Sequence, residues 1–287
     1  RNAARLASGL AGLGINSGDR VGTFSWNNTA HMEAYLAIPS MGAIMHTINI
    51  RLSPEHIAYI INHAEDRIII LDASLQAVFA PVVPLLKTVE HILLVGDQDD
   101  SALTGDISAS SYESLLEESS EDFDWPELDE TSAAAVCYTS GTTGNPKGVV
   151  YSHRTTFVHS MASRATDTFG ISEHDRILLL PPMFHANSWG LPYSGWFSGS
   201  DFIMPGPHLQ PAGIKAMIRC EKPTITAMVP TILGDLLHSA DKEQLDMSSF
   251  RMLVCGGSAV APAMIDAARE KWGVPVLQGW GMTETSP

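Results

Sequence analysis

The chain is poor in cysteine, in basic charge and in long apolar runs, and each shortage removes a class of protein. Its three cysteines (Cys137, Cys220, Cys255) are widely spaced and form no CxxC pair. That excludes a disulfide framework and a cysteine-rich zinc site, and it favours a reducing, cytoplasmic compartment. No uninterrupted apolar stretch approaches the ~20 residues of a membrane-spanning helix. The opening RNAARLASGLAGLG lacks the solid apolar core of a signal peptide. Lys and Arg number 17 against 32 Asp and Glu, a net charge of −15. No basic face is visible, so nucleic acid is not an expected partner. His31, His46, His56 and His63 lack metal-site spacing with carboxylates, so no metal ligand is assigned there.

What is present is a globular composition, with 45% hydrophobic and 17% charged residues over 287 positions. The acidity is local. Residues 97–130 hold 13 of the acidic residues and no Lys or Arg, while the rest is nearly balanced. That segment reads as a solvated surface loop with a short helix.

Short apolar runs recur at 67–71 (RIIIL), 91–95 (HILLV), 133–138 (AAAVCY), 176–180 (RILLL), 224–228 (TITAM) and 251–255 (RMLVC). Runs of this length predict buried parallel strands. Val21–Trp26 reads as a further strand. Leu6, Leu10 and Leu13 share a helical face that Gly14 can end, and Ser53-Pro54 starts a helix carrying Ile57, Ile60, Ile61 and Ala64. Helical stretches at 211–221, 231–240 and 262–271 alternate with the strands. The pattern predicts an α/β fold with largely parallel sheets and helices on their faces.

The most informative segment is YTSGTTGNPKGVV, residues 138–150. Gly141, Gly144 and Gly148 allow tight turns and close approach of backbone N–H groups to an anion. Thr139, Ser140, Thr142 and Thr143 add hydroxyl donors, and Lys147 supplies a point charge. Apolar strands enter and leave the loop. The pattern is not the Walker loop, because the glycine-to-lysine spacing differs and no helix follows directly. Composition alone leaves both a phosphate cradle and a flexible hairpin tip open.

SGTTGNPKGV resembles the signature loop of the adenylate-forming superfamily: acyl-CoA synthetases, luciferases and peptide-synthetase adenylation domains. The match continues into Tyr151-Ser152-His153-Arg154. Val229-Pro230-Thr231, Cys255-Gly256-Gly257-Ser258-Ala259 and Gly279-Trp280-Gly281-Met282-Thr283-Glu284 resemble later family motifs in order and spacing. The resemblance implies ATP-dependent activation of a carboxylic acid through an acyl-adenylate, with coenzyme A as acyl acceptor. It implies that Thr139, Ser140, Gly141, Thr142, Thr143, Gly144 and Lys147 bind the β- and γ-phosphates. Gly257, Ser258, Ala259, Gly279, Trp280, Gly281, Met282 and Thr283 would line the adenine and AMP site. Trp280 would stack on adenine and Thr283 would bond the α-phosphate. Glu284 would hold Mg²⁺, with Thr143 as a second candidate ligand. Lys147, Thr283 and Glu284 are the catalytic candidates.

The run Met183-Phe184-His185-Ala186-Asn187-Ser188-Trp189-Gly190-Leu191-Pro192 resembles bacterial medium- and long-chain fatty acid–CoA ligases, in which a helix follows the histidine. Amino-acid-activating relatives commonly carry Asp where His185 stands, so an α-amine would lack its counter-ion. His185, Ala186, Asn187, Trp189, Gly190, Val229 and Gly256 would form the acyl pocket, with Ala186 and Gly190 leaving room for a chain. A Trp and Phe cluster with a lone histidine is also compatible with ordinary core. His153 reads as a structural residue at a helix start, with a place near the phosphates as the alternative.

The resemblance divides the chain into a first α/β subdomain, 1–180, bearing loop 138–148, and an incomplete second one, 181–287, bearing acyl and adenine elements. Together they correspond to part of the stacked-sheet N-terminal domain of the family. No segment matches the ribose-binding Asp, the hinge or the C-terminal cap domain. The chain starts at Arg1 inside a helix and stops at Pro287 in an open loop, and both points read as cuts. The expected partners are a fatty acid, ATP and CoA. Uncovered apolar surface on such a fragment would favour self-association, and a homo-oligomer is left open. An acyl-AMP ligase loading a carrier protein, or a nucleotide- and acyl-binding fragment without turnover, are the competing readings. A luciferase-like oxygenase shares only the fold.

Overall fold

The computed structural model describes residues 1–96, 103, 107–139, 144–240 and 245–286. It divides into two compact units, Arg1–Thr156 with Met183–Asn187, and Phe157–Pro182 with Ser188–Pro287.

The first unit is built on a seven-stranded sheet. Its strands are β1 (Arg20–Phe24), β2 (Ile44–Thr47), β3 (Asp66–Asp72), β4 (His91–Val95), β5 (Ser108–Ser111), β6 (Ala133–Tyr138) and β7 (Gly148–Ser152). The spatial order is β5-β4-β3-β1-β2-β6-β7. All neighbours are parallel except β7, which runs antiparallel to β6. The helices are α1 (Asn2–Gly12), α2 (Thr29–Ser40), α3 (Pro54–Ala64), the single turn α4 (Gln76–Phe79), α5 (Tyr112–Glu118) and α6 (His153–Arg164), whose later residues belong to the second unit.

Sequence explains these elements locally. Ser53 accepts a hydrogen bond from the His56 N–H and Pro54 opens α3, which buries Ile57, Ile60 and Ile61 against Phe24, Ile48, Ile69 and Leu71. Ile68 to Leu71 are all buried, because helices cover both faces of β3. On the opposite face, Thr23 of β1 bonds His31 of α2 at 2.9 Å. β1 sits between β2 and β3, and Gly22 lets side chains reach across it. A Cβ there would stand 2.6 Å from Ile69 Cδ1 and 3.2 Å from Asp66 Oδ2. In its absence His46 Nδ1 meets Asp66 Oδ2 at 2.6 Å, both side chains fully buried. Burial drives the Asp66 pKa above the ordinary carboxylate value, against the opposing pull of His46 and Arg20.

The acidic stretch 97–130 is described in part. β5 and α5 lie within it, and residues 119–132 are irregular and mostly exposed. Tyr112, which is buried and donates to Glu33 at 2.6 Å, helps tie it to the unit, as does buried Leu116.

The second unit holds β8 (Arg176–Leu178), the short turn α7 (Ala186–Trp189, whose first two residues belong to the first unit), α8 (Leu191–Ser198), β9 (Asp201–Ile203), α9 (Pro211–Glu221), β10 (Ile225–Met228), α10 (Pro230–Ala240), β11 (Met252–Cys255), α11 (Pro262–Trp272) and β12 (Val276–Gln278). Its sheet is wholly parallel, in the order β12-β11-β10-β8-β9. Leu178, Ile214, Ile218, Leu233, Leu236, Leu253 and Ala268 form its core. Asp175 locks the start of β8. It is buried, pairs with Arg251 Nε at 2.7 Å and Nη2 at 2.8 Å, and accepts from Thr224 Oγ1 at 2.7 Å.

Candidate active site

In the first unit the signature loop hangs from the β6–β7 hairpin. Tyr138 pairs with Gly148 in register. Beyond them the Thr139 N–H donates to the Lys147 carbonyl at 3.0 Å, and the Lys147 N–H faces Thr139 Oγ1 at 3.4 Å. These bonds form a neck that closes the loop's base. Thr139 is half-buried, while Gly144 and Lys147 are exposed. Ser140, Gly141, Thr142 and Thr143 lie outside the described residues. Ser152 caps α6, its Oγ accepting from the Thr155 N–H at 3.1 Å. His153 is the first residue of that helix. Its Nε2 is buried without a hydrogen bond, and burial lowers its pKa.

Residues 183–187 are bolted into the same unit by polar bonds. The Met183 N–H donates to Asn27 Oδ1 at 2.7 Å, and the Tyr35 hydroxyl donates to the Met183 carbonyl at 2.5 Å. Asn187 Oδ1 is buried and accepts from Cys137 Sγ at 3.1 Å and Thr47 Oγ1 at 3.3 Å. Burial raises the Cys137 pKa to about 11, so the thiol stays protonated and able to donate. Phe184 enters the core, with the Arg51 guanidinium 5.7 Å from its ring centroid. His185 is exposed at the surface. Its pKa is lowered by desolvation and by the Arg51 charge, which favours the neutral imidazole.

The resemblance implies a helix after His185; helical turns do follow, and the first of them is left-handed. Ala186, Asn187, Ser188 and Trp189 have φ of 44°, 48°, 53° and 57°, and Gly190 has 71°. This is one left-handed turn, and the right-handed helix begins at Leu191. A left-handed turn costs roughly 1–2 kcal/mol per non-glycine residue. The bonds to Asn187, and the bond from Ser188 Oγ to the Pro181 carbonyl at 2.6 Å, hold it. The glycine after it does not open into free space. A Cβ on Gly190 would stand 2.4 Å from the His159 ring, so the glycine gives that ring its seat.

In the second unit the predicted adenine and acyl elements gather at the carboxyl ends of three adjacent parallel strands. Val229 follows β10, Gly256 to Ala259 follow β11, and Gly279 to Glu284 follow β12. Such strand ends are where open parallel sheets bind ligands. The Gly256 N–H donates to the Met228 carbonyl at 3.0 Å and the Gly279 N–H to the Cys255 carbonyl at 2.8 Å. Gly256 lies so close to the Gly279 carbonyl that an added Cβ would be 2.7 Å from it. Gly257 has φ 78°, and its missing Cβ faces Val229 at 3.3 Å and the Trp189 indole at 3.5 Å. Both glycines are thus demanded by the packing. Ser258, Ala259, Gly281, Met282 and Glu284 are exposed, Thr283 is half-buried, and Trp280 is 79% exposed. Trp280 presents a bare indole to solvent, as a stacking platform requires. Among the described residues no group of three or more His, Cys, Asp or Glu side chains converges to hold a metal ion.

Sequence reasoning missed Asn27, Tyr35, Thr47 and His159. Their roles depend on contacts far apart in the chain, and no local pattern marks them. The left-handed turn had one faint signal, an asparagine at its second position, a residue that tolerates this conformation better than most.

The family of AMP-binding enzymes is matched over residues 1–287, and the chain belongs to it. It is 43% identical over 286 residues to 3-methylmercaptopropionyl-CoA ligase of Ruegeria lacuscaerulensis, covering 100% of this chain and 53% of that protein. It is 44% identical over 290 residues to long-chain-fatty-acid–CoA ligase of Thermus thermophilus, covering 100% of this chain and 51% of that protein. The fold matches the crystal structure of the anthranilate CoA ligase AuaEII in complex with anthranoyl-AMP. The TM-score is 0.90 and the identity 25%, covering 100% of this chain and 54% of that one. The chain thus spans about half the length of the curated relatives it matches.

Proposed function

We propose that this chain forms the ATP- and acyl-binding part of an AMP-forming acid–CoA ligase acting on a medium- to long-chain carboxylic acid. The observation that carries the reading is the gathering of Val229, Gly256–Gly257 and Gly279–Glu284 at the ends of β10, β11 and β12. It sits in a chain that also bears the complete glycine-threonine-lysine loop.

The chemistry is a displacement at phosphorus followed by one at carbon. A carboxylate oxygen attacks the α-phosphorus of ATP, the bond to the bridging oxygen breaks, and pyrophosphate leaves. A thiol, that of coenzyme A, then attacks the acyl carbon and AMP departs with the electron pair. An anion must reach a polyanion, so positioning and charge neutralisation are what the protein can add. Lys147 and the backbone of residues 139–147 would hold the departing pyrophosphate. Thr283 would donate to the α-phosphate, and Trp280 would stack on adenine. Glu284 would hold Mg²⁺, which when bound would neutralise phosphate charge. His185, neutral and beside a cation rather than an anion, offers no counter-ion for an α-ammonium group. That disfavours amino-acid substrates.

The acyl group has a second candidate, a short sulfur-bearing acid, favoured by the 43% identity to the methylmercaptopropionyl ligase. The test is a thermal-shift titration of the chain with non-hydrolysable octanoyl-adenylate and 3-methylmercaptopropionyl-adenylate mimics. A larger rise with the octanoyl compound supports the fatty-acid reading. A larger rise with the sulfur compound moves the substrate to the short acid. A cooperative melt that ignores both, and ATP as well, rejects the assignment.

A further inference from the structure

The neck of the signature loop is held by a side-chain brace that none of the motif roles includes. Tyr138 is the last residue of β6 and is buried. Its ring folds across the hairpin onto Gly148, the first residue of β7. A Cβ on Gly148 would stand 3.1 Å from Tyr138 Cζ, 3.3 Å from its hydroxyl oxygen and 3.2 Å from Val136 Cγ2. The glycine is therefore the seat of the ring. The far end of the ring is tied down too, because the Tyr138 hydroxyl and His63 Nδ1 share a hydrogen bond of 2.7 Å. His63 lies in the last turn of α3 and stacks on Tyr59 of the same helix, with centroids 5.4 Å apart at 29°. His46 also packs on Tyr138, at 5.0 Å between centroids, and is itself tied to Asp66. Burial, with the Asp66 charge, raises the Tyr138 pKa to about 12, so the phenol keeps its proton at ordinary pH.

One aromatic side chain thus links three things: the strand entering the loop, the strand leaving it, and a helix packed on the sheet. Immediately beyond it come Thr139 and Lys147, whose backbone bonds close the neck. A loop that cradles phosphate through its backbone loses affinity when its two ends drift apart, because the donors then no longer point at one centre.

We infer that Tyr138 and His63 are positioning residues that hold the two ends of the 139–147 loop at the separation needed to bind the β- and γ-phosphates. The inference rests on the reading of that loop as the phosphate cradle. Both residues act on the ends of the loop rather than within it, so the effect should fall on phosphate affinity and spare the adenosine end.

The test is isothermal titration of the chain with pyrophosphate, ATP and AMP as separate ligands. The variants are Tyr138→Phe, His63→Leu, the double variant, His63→Gln and Gly148→Ala. Tyr138→Phe and His63→Leu should each weaken pyrophosphate and ATP binding about threefold to tenfold, the range expected for one lost hydrogen bond. The double variant should be no weaker than either single one, because both remove the same bond. His63→Gln, which keeps a polar partner for the hydroxyl, should recover most of the affinity. AMP binding should stay within about twofold of the parent, since it does not use the β- and γ-phosphate cradle. Gly148→Ala displaces the ring without altering the phenol, and should show the same selective loss even if Tyr138→Phe proves too unstable to titrate. Equal losses for AMP and pyrophosphate would mean that the pair serves general packing, and would overturn the inference. Unchanged pyrophosphate affinity in all variants would overturn it as well. Failure of the parent chain itself to bind pyrophosphate or ATP would reject the cradle reading, and the brace with it.

Discussion

At the scale of single residues, charge decides more than shape. Lys147 is exposed at the neck of the loop and makes no ion pair among the described residues. Replacing it with alanine should leave the melting temperature of the unliganded chain within about one degree, as for most surface substitutions. It should weaken ATP binding roughly tenfold or more, the value of a charge-assisted contact to phosphate. Calorimetric titration beside a melting curve checks both halves.

Asp175 is the opposite case, a carboxylate whose charge serves the fold. Burial alone would raise its pKa, but Arg251, Thr224 and the Ser172 N–H outweigh burial and bring it below the ordinary value. A depressed folded-state pKa contributes stability above the unfolded carboxylate value of about 4, and that contribution disappears as pH falls through the folded value. Arg251→Met should therefore destabilise the chain by about 1–3 kcal/mol at pH 7, discounted from the cost of breaking a fully buried pair because Arg251 is partly exposed. The gap between parent and variant should narrow in denaturant titrations below pH 4. A gap that is constant from pH 7 to pH 3 would show that the arginine acts through packing alone.

At the scale of elements, the left-handed turn at 186–190 inverts an ordinary rule. In a right-handed helix, alanine to glycine costs roughly 1 kcal/mol. Ala216, exposed within α9, should obey that rule. Ala186 has φ 44°, where glycine is relieved of the Cβ clash. Ala186→Gly should then be neutral or stabilising by up to about 1 kcal/mol, even after the loss of one buried methyl. Chemical denaturation should show a loss of stability for Ala216→Gly alone if the turn has the handedness described, and a comparable loss for both variants if it does not.

Most elements were legible because their cues are local. RIIIL, HILLV and RMLVC became β3, β4 and β11 within a residue or two of the stretches read from their apolar runs. The helix predicted at 211–221 is α9 with the same limits, and Ser53-Pro54 opens α3 as expected. RILLL was read longer than β8, Arg176–Leu178, but the Leu179 N–H still donates to the Ile203 carbonyl of β9 at 3.0 Å, and Leu180 continues as buried chain. An apolar run reports burial and does not report hydrogen bonding. The hand of the turn after His185 was not legible for a related reason. Its conformation is imposed by Tyr35, Thr47 and Cys137 on Asn187, residues up to 152 positions away.

At the scale of the whole molecule, the net charge of −15 is carried largely by one segment. Glu117, Glu118, Asp122 and Asp124 are exposed there, and none of them holds an element in place. Converting all four to their amides should change the unfolding free energy by no more than about 0.5 kcal/mol per site. It should also move the isoelectric point upward and lower solubility near neutral pH. Solubility curves and melting of the fourfold variant test this together. A large loss of stability would show that the segment does more than solvate the surface.

The sequence by itself determined the family, the α/β class and the order of the strands along the chain. Glycine spacing, apolar runs and helix starts act over a few residues and survive without knowledge of the fold. It also marked the loop 138–148 and the glycine turns, because a glycine required by close backbone approach leaves its mark in the chain itself. Only the tertiary structure decided which strands neighbour one another and that His46 reaches Asp66 across Gly22. It alone gave the ring of Tyr138 its seat on Gly148 and turned residues 186–190 left-handed. Each of these is a contact between distant segments, and its energy exists only once packing has brought the partners together.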